Sequence, residues 1–291
     1  MDRGIFIQTN NSQLIAAKVA KFAAETRGCA RAHGIPVALM NVDEMPQFLA
    51  FAGARFRNGA KLDRYNPGYV QSFTLSRFMP PELMGFSGRA LVIDPDVLLL
   101  GDVIDLFSIE LAGNSIAACR RPFGWESSVM LLDCAKLGHW KIDDILAELR
   151  DLSADYVDLI LLRDEPSVLE LPSSWNSHDT IGAGTRALHM TRLETQPWRT
   201  GLLLDCGEPA PPILGLFPRE RVRRLLGKRG PVHQSHPERR VEQMFMQLLG
   251  EAFHAGAILE SEIKGSIRKG FIRSDIWKHV TAPGVQEAAN G

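Results

Sequence analysis

The chain has 291 residues, 45% of them hydrophobic and 23% charged, with a formal net charge of −1. That length supports one large α/β domain or two modest ones, and the composition excludes wholesale disorder, collagen and coiled coil. The near-zero charge excludes a globally basic nucleic-acid binder, and no apolar run approaches the ~18 residues that span a bilayer.

The chain starts Met1-Asp2-Arg3-Gly4 and enters an apolar segment at once, so no signal peptide is expected. Gly4–Gln8 predicts a short buried strand. The polar turn Thr9–Ser12 follows, and Leu14, Ile15, Val19 and Phe22 then recur at helical spacing. Residues 35–42 and 90–94 predict two further buried strands. Trp125–Ser128 reads as a turn leading into a fourth strand, Val129–Leu132. Ala135–Leu149 predicts a helix, with Leu137, Trp140, Ile145 and Leu149 on its apolar face. Buried strands alternating with helices imply a layered α/β sheet, whose ligands bind at the carboxyl ends of strands. Four distant cysteines (Cys29, Cys119, Cys134, Cys206) with no Cys-x-x-Cys read as reduced thiols of a cytoplasmic protein.

Composition shifts after residue 207. Pro209, Pro211, Pro212 and Pro218 precede eight Lys/Arg between Arg219 and Arg240, opposed only by Glu220 and Glu238. That segment carries +6, which leaves −7 on the remainder. Residues 1–207 are therefore read as the main domain and 208–291 as a partly helical, basic appendage. Val222, Leu225 and Leu226 share one helix face while Arg221, Arg224 and Lys228 share another. Two readings stay open for this piece. It lies on anionic lipid at the inner membrane face, or it pairs with the acidic main domain or a second subunit of an oligomer.

The sharpest chemical feature is Asp94-Pro95-Asp96 at the end of a buried strand. In extended backbone, residues i and i+2 point the same way. Two like charges converging at an apolar strand end are costly, and a hard cation such as Mg²⁺ or Mn²⁺ relieves that cost with oxygen ligands. A surface Asp-Pro-Asp turn is the alternative. Gly182–Ala187 matches the dinucleotide pattern G-x-G-x-x-G/A, but turn formers precede it and no apolar helix follows, so it is not expected to bind NAD. His189, in Ala187–Met190, reads from its apolar context as a core histidine. No zinc spacing, P-loop or Gly-x-Ser-x-Gly is present.

Four ordered blocks then fit one pattern. Phe73–Leu83 with Gly88–Asp96 resembles the "R-F/L-x-x-P-E-L … V-L-Y-L-D-x-D" block of nucleotide-sugar glycosyltransferases of the GT-A fold, above all glycosyltransferase family 8 and its bacterial relatives. Ser127–Asp133 resembles the family's "N-S-G-V-M-L-x-N", Leu171–Asn176 its "L-P-x-x-W-N", and Leu188-His189 with Gln196-Pro197-Trp198 its "I-H-(Y/F)-x-G-x-x-K-P-W". The resemblance implies a Rossmann-like mixed sheet flanked by helices. It also implies transfer, with retention, from a nucleoside-diphosphate sugar to a glycan, lipid-linked glycan or small molecule.

By the same resemblance, Asp94, Asp96 and His189 are the ligands of Mn²⁺ or Mg²⁺. Gln8, Thr9, Asn10 and Asn11 hold base and ribose, with Asn10 where the family has aspartate. Arg77 and Asp94 adjoin the nucleotide; for Arg77 an ion pair with Asp94 or Asp96 stays open. Trp175, Asn176, Asp179, Gln196 and Trp198 fall on the sugar and acceptor side, where a packing role for Trp175 stays open. Of the family's "D-Q-D" only Asp158 remains, and Glu126 stands at the asparagine of "N-S-G". Asp158 and Glu126 are thus the candidates to face the reacting sugar. Those departures leave a second reading, a non-transferring nucleotide-binding or protein-interaction member of the same fold.

Overall fold

The computed structural model describes residues 2–204 and 230–280. The predicted amphipathic piece at 219–229 lies outside the described residues. No helix among the described residues is long and apolar enough to cross a membrane.

The core is a six-stranded mixed sheet in the order β2-β1-β5-β8-β7-β9. Its strands are β1 (Arg3–Thr9), β2 (Val37–Asn41), β5 (Arg89–Ile93), β7 (Ile116–Arg121), β8 (Gly124–Asp133) and β9 (Val168–Glu170). β1 runs parallel to β2 and β5, whereas β8 is antiparallel to both β5 and β7. Alternation along each strand feeds two apolar layers. Ile5, Ile7, Leu91, Ile93, Val129 and Leu131 face one layer. Phe6, Ala90, Val92, Met130 and Leu132 face the other.

Helix α1 (Leu14–Thr26) covers the first face, and α2 (Pro46–Phe51) and α5 (Ile142–Asp151) contribute to the second. Two further short helices, α3 (Pro80–Leu83) and α4 (Val103–Phe107), flank β5 and the segment after it. The ribbon β3 (Arg55–Asn58) and β4 (Lys61–Arg64) packs beside α5 and α6 (Tyr156–Ile160). Helices α7 (Arg239–His254) and α8 (Glu260–Arg268) pack back on α1, and α9 (Trp277–Val280) packs on α7. Val241, Phe245, Leu249, Ile263 and Val280 join the same apolar layer as Ile15 and Val19.

Two local expectations change. Ala135–Leu149 is not one helix: a short 3₁₀ turn at Cys134–Lys136 ends at Leu137-Gly138, and α5 starts afresh at Ile142. The Leu137 carbonyl accepts from Trp140 N (2.9 Å), a turn that diverts the chain before the helix begins. Trp125–Ser128 is not a turn but part of β8, where the register slips between Ala118 and Cys119. A bulge of this kind kinks a strand and re-aims its side chains.

Candidate active site

The site forms where the main sheet meets a small second sheet of β6 (Val97–Leu99), β10 (Ser177–His178) and β11 (Ala187–His189). Ile7 of β1 lies opposite Ile93 of β5, so Gln8 and Asp94 leave their strands side by side. Gln8 Nε2 donates to Asp94 Oδ1. The chain then turns through Pro95 and Asp96 into β6, with Val97 N donating to the Asp94 carbonyl (3.2 Å). The two aspartates therefore converge through a turn, not through the extended backbone expected from the i, i+2 spacing. β11 is antiparallel to β6 with His189 opposite Val97, and β10 is parallel to β11 with His178 opposite His189. Pairing register alone thus sets both histidines in one row next to Asp96.

Ligand atoms of Asp94, Asp96 and His189 lie within 4.8 Å of one another. His189 is 6% exposed, and its Nδ1 lies 2.9 Å from Asn176 Oδ1. The amide oxygen accepts that proton, which assigns the lone pair to Nε2, 3.4 Å from Asp96 Oδ1. Asn176 is fixed in turn by donating to Ser128 Oγ (3.0 Å). Burial pushes the His189 proton affinity down, but Asp96, Asp94 and Glu126 outweigh it and leave it raised. Burial raises the Asp94 pKa to about 6; Arg77 opposes that shift and Asp96 adds to it. Asp96 Oδ1 is buried with no hydrogen-bond partner. Two carboxylates, one with a buried oxygen that accepts no hydrogen bond, and an imidazole with its lone pair inward suit a hard divalent cation.

Arg77, 5% exposed, donates to Ser127 Oγ and to Asp94 Oδ1 (3.2 Å). It is therefore an ion-pair partner of Asp94 within the site. Gln196, 1% exposed, donates to Asp96 Oδ2 (3.3 Å), and Gln13 donates to Gln196 Oε1 (3.4 Å). Asn10 lies at the carboxyl end of β1, but its amide is fully used. It donates to the carbonyls of Tyr69 and Val70 and to Ser72 Oγ, and it accepts from Ser12 Oγ and Gln13 N. Thr9 Oγ1 donates to the Asn10 carbonyl, and Asn11 packs against Asn41 and Asp43.

The two carboxylates proposed to face the sugar separate. Glu126 joins the cluster: Arg121 Nε donates to its Oε2 (2.5 Å), His178 Nε2 lies 2.8 Å from Oε1, and His189 Nδ1 is 3.6 Å away. Burial works to raise the Glu126 pKa, but the bonds from His178 and Arg121 hold it down at about 2. Asp158, on α6, turns instead to Arg163 (2.6 Å) at the surface and makes no contact with the cluster. Asp179 binds Thr191 Oγ1 (2.5 Å) and His236 Nε2 (3.1 Å), which ties the segment after residue 230 to the strand before His189. Trp175 is buried under the Arg186 guanidinium (5.4 Å). Trp198, fully buried, packs on Phe245 of α7 with ring centroids 4.8 Å apart. Both tryptophans are core residues.

Sequence reasoning missed His178, Arg121, Ser128 and Gln13. The available signal for His178 was its place two residues after Asn176, in a stretch read only as turn formers. The Gly182–Ala187 segment closes a turn, with Thr185 N donating to the Gly182 carbonyl (3.1 Å), and it feeds β11 rather than a helix.

No protein-family model matches the chain. Glycosyltransferase GlyF of Streptococcus pneumoniae serotype 4 is 32% identical over 152 residues, 46% of this chain and 37% of that protein. Glycosyltransferase GlyE of the same organism is 27% identical over 128 residues, 40% of this chain and 31% of that protein. The matches thus span about a third of the length of these curated relatives. The crystal structure of GlyE superposes with a TM-score of 0.50 at 16% identity, over 88% of this chain and 64% of that one. The chain therefore has the GT-A glycosyltransferase fold implied by its motifs, and its sequence resembles glycosyltransferases.

Proposed function

We propose that the chain is a glycosyltransferase that moves a sugar from a nucleoside-diphosphate donor to an acceptor hydroxyl with the help of Mn²⁺ or Mg²⁺. The observation that carries the reading is the convergence of Asp94, Asp96 and His189, with the buried Asp96 Oδ1 facing His189 Nε2 and accepting no hydrogen bond. When bound there, the cation would supply Lewis-acid stabilisation of the diphosphate leaving group.

The chain's own residues prepare that chemistry. Arg77 and Gln8 hold Asp94, Gln196 holds Asp96, and Asn176 holds the His189 ring. Glu126 presents a negative charge beside His189, which would stabilise the positive charge that develops on the sugar's anomeric carbon as the diphosphate departs. The nucleotide is assigned to the turn Gln8–Asn11, with contacts to the base supplied by backbone because the Asn10 amide is already satisfied. The acceptor is assigned to a groove of about 500 Å³ lined by His178, Asp179, Thr180, Thr191, Arg192, Pro237 and Glu238. Retention of configuration is part of the proposal and rests on the family resemblance.

Release of nucleoside diphosphate from a panel of sugar nucleotides, with and without Mn²⁺, tests the reading. Metal-dependent release that Asp96→Asn abolishes is expected. A second reading, a nucleotide binder without transferase activity, is favoured by Asp158 turning away to Arg163. Under that reading, metal-dependent binding of nucleotide occurs with no release.

A further inference from the structure

The ribbon β3–β4 carries charge that its own packing does not answer. Phe56 points inward, 7% exposed, and stacks on Tyr156 of α6 with ring centroids 5.5 Å apart. Strand alternation sends Arg55 and Arg57 to the opposite, outward face. Register places Arg64 directly across from Arg55 and Leu62 across from Arg57. The outer face is therefore three arginines around a leucine that is 52% exposed. Like charges directly opposite one another destabilise an antiparallel pair. Among the described residues no carboxylate pairs with Arg55 or Arg64, and Arg57 reaches only Asp155, at 3.8 Å.

A second exposed apolar residue sits on a neighbouring turn that rests on the same helix. The turn of the β3–β4 ribbon rests on α6 at Val157, 3.6 Å from where a Cβ on Gly59 would stand. The β7–β8 turn rests four residues on, with Gly124 against Leu161, and it carries Phe123, 83% exposed. The turn of the arginine ribbon and the turn that carries Phe123 thus rest one helical turn apart on the same short helix.

We infer that this face docks on an anionic lipid bilayer, with Arg55, Arg57 and Arg64 among the headgroups and Leu62 and Phe123 at the acyl boundary. A cationic surface with apolar tips suits a membrane interface, where charge and apolar side chains are both satisfied. An acidic polypeptide or a nucleic acid would neutralise the arginines but leave Leu62 and Phe123 in water. The inference does not depend on transferase activity. Its consequence for a transferase is an acceptor presented at the membrane.

The test is sedimentation of the full chain with phosphatidylcholine vesicles containing about one-third phosphatidylglycerol, at about 0.1 M salt, where charges act over roughly 10 Å. Vesicles of phosphatidylcholine alone serve as control. Wild type is expected to sediment only with anionic vesicles. Arg55→Glu/Arg57→Glu/Arg64→Glu is expected to lose at least about ten-fold in partitioning, given the contribution of each surface cation. The milder triple Gln variant guards against misfolding, checked by circular dichroism, and Phe123→Ser is expected to weaken binding as well. Arg221→Glu/Arg223→Glu/Arg224→Glu separates the contribution of the 219–229 segment. The inference is overturned if wild type stays in the supernatant, or if the ribbon variants bind as wild type does. It is overturned too if polyglutamate, and not vesicles, is captured through the same arginines.

Discussion

At the scale of single residues, the site is a set of polar groups whose partners are already chosen. Asn176 is the sharpest example, because it accepts from His189 and donates to Ser128 while 1% exposed. Asn176→Leu frees the imidazole to rotate and removes the bond that assigns its tautomer. Loss of such an orienting partner typically costs 10–100-fold in metal affinity. A loss in that range is therefore expected in Mn²⁺ titrations followed by electron paramagnetic resonance, with Asn176→Asp retaining more affinity than Asn176→Leu. Asp94 gives a pH-dependent prediction for the metal-free protein. Its folded-state pKa is raised from 3.8 to about 6, chiefly by burial. The folded chain thus holds the proton more tightly than the unfolded one. The resulting stability is fully present below pH ~4 and is lost as pH rises through ~6. Asp94→Asn should accordingly be more stable than wild type at pH 7.5, by up to about 3 kcal/mol, with the gap closing near pH 4. Urea denaturation across that range checks it, and equal stabilities at pH 7.5 would count against a desolvated Asp94.

At the scale of elements, the bulge between β7 and β8 matters most. It brings Glu126 opposite Cys119, and Glu126 there meets Arg121, His178 and Ser128. Glu126→Ala leaves the Arg121 guanidinium and the His178 ring without their shared acceptor. Arg121 is 35% exposed, so water screens much of the loss. A destabilisation of about 1–2 kcal/mol is expected in urea denaturation. Helix α7 gives a larger effect. Phe245 is fully buried between the α1 layer and the Trp198 ring. Phe245→Ala should cost about 3–5 kcal/mol, the usual range for truncating a core aromatic.

Across the whole molecule, α1 carries contacts from both ends of the chain. Arg27 forms a two-pronged pair with Glu251 of α7 (2.7 and 2.8 Å), and Lys18 pairs with Glu262 of α8. These pairs are partly exposed and contribute little by themselves. The apolar layer that α7, α8 and α9 share with α1 stabilises the docking more than they do. Hydrogen exchange is therefore expected to show α1 and α7 opening together, and Phe245→Ala should lower protection in both. Separate opening of α7 with α1 unchanged would mean that the shared layer does not couple them.

The apolar rhythm of Gly4–Gln8, residues 35–42 and 90–94, and Val129–Leu132 was enough to read a layered α/β sheet, because burial on both faces leaves a continuous hydrophobic run in the chain. That Asp94, Asp96 and His189 come together was legible only through the family resemblance, because His189 by itself read as a core histidine. What the sequence could not show is how distant segments meet. His178 enters the site through the pairing of β10 with β11, and Gln13 enters from the start of α1. Glu126 and Asp158 looked equivalent as unmatched acids, and only packing separated them: the β8 bulge turns one inward, while α6 leaves the other with Arg163 at the surface. Trp175 and Trp198 likewise sat in recognisable motifs, yet burial makes them core. Hydrophobic period and local motif are properties of neighbouring residues, which the sequence by itself determines. Which polar groups share one buried point depends on strand register and long-range packing, which only the tertiary structure decides.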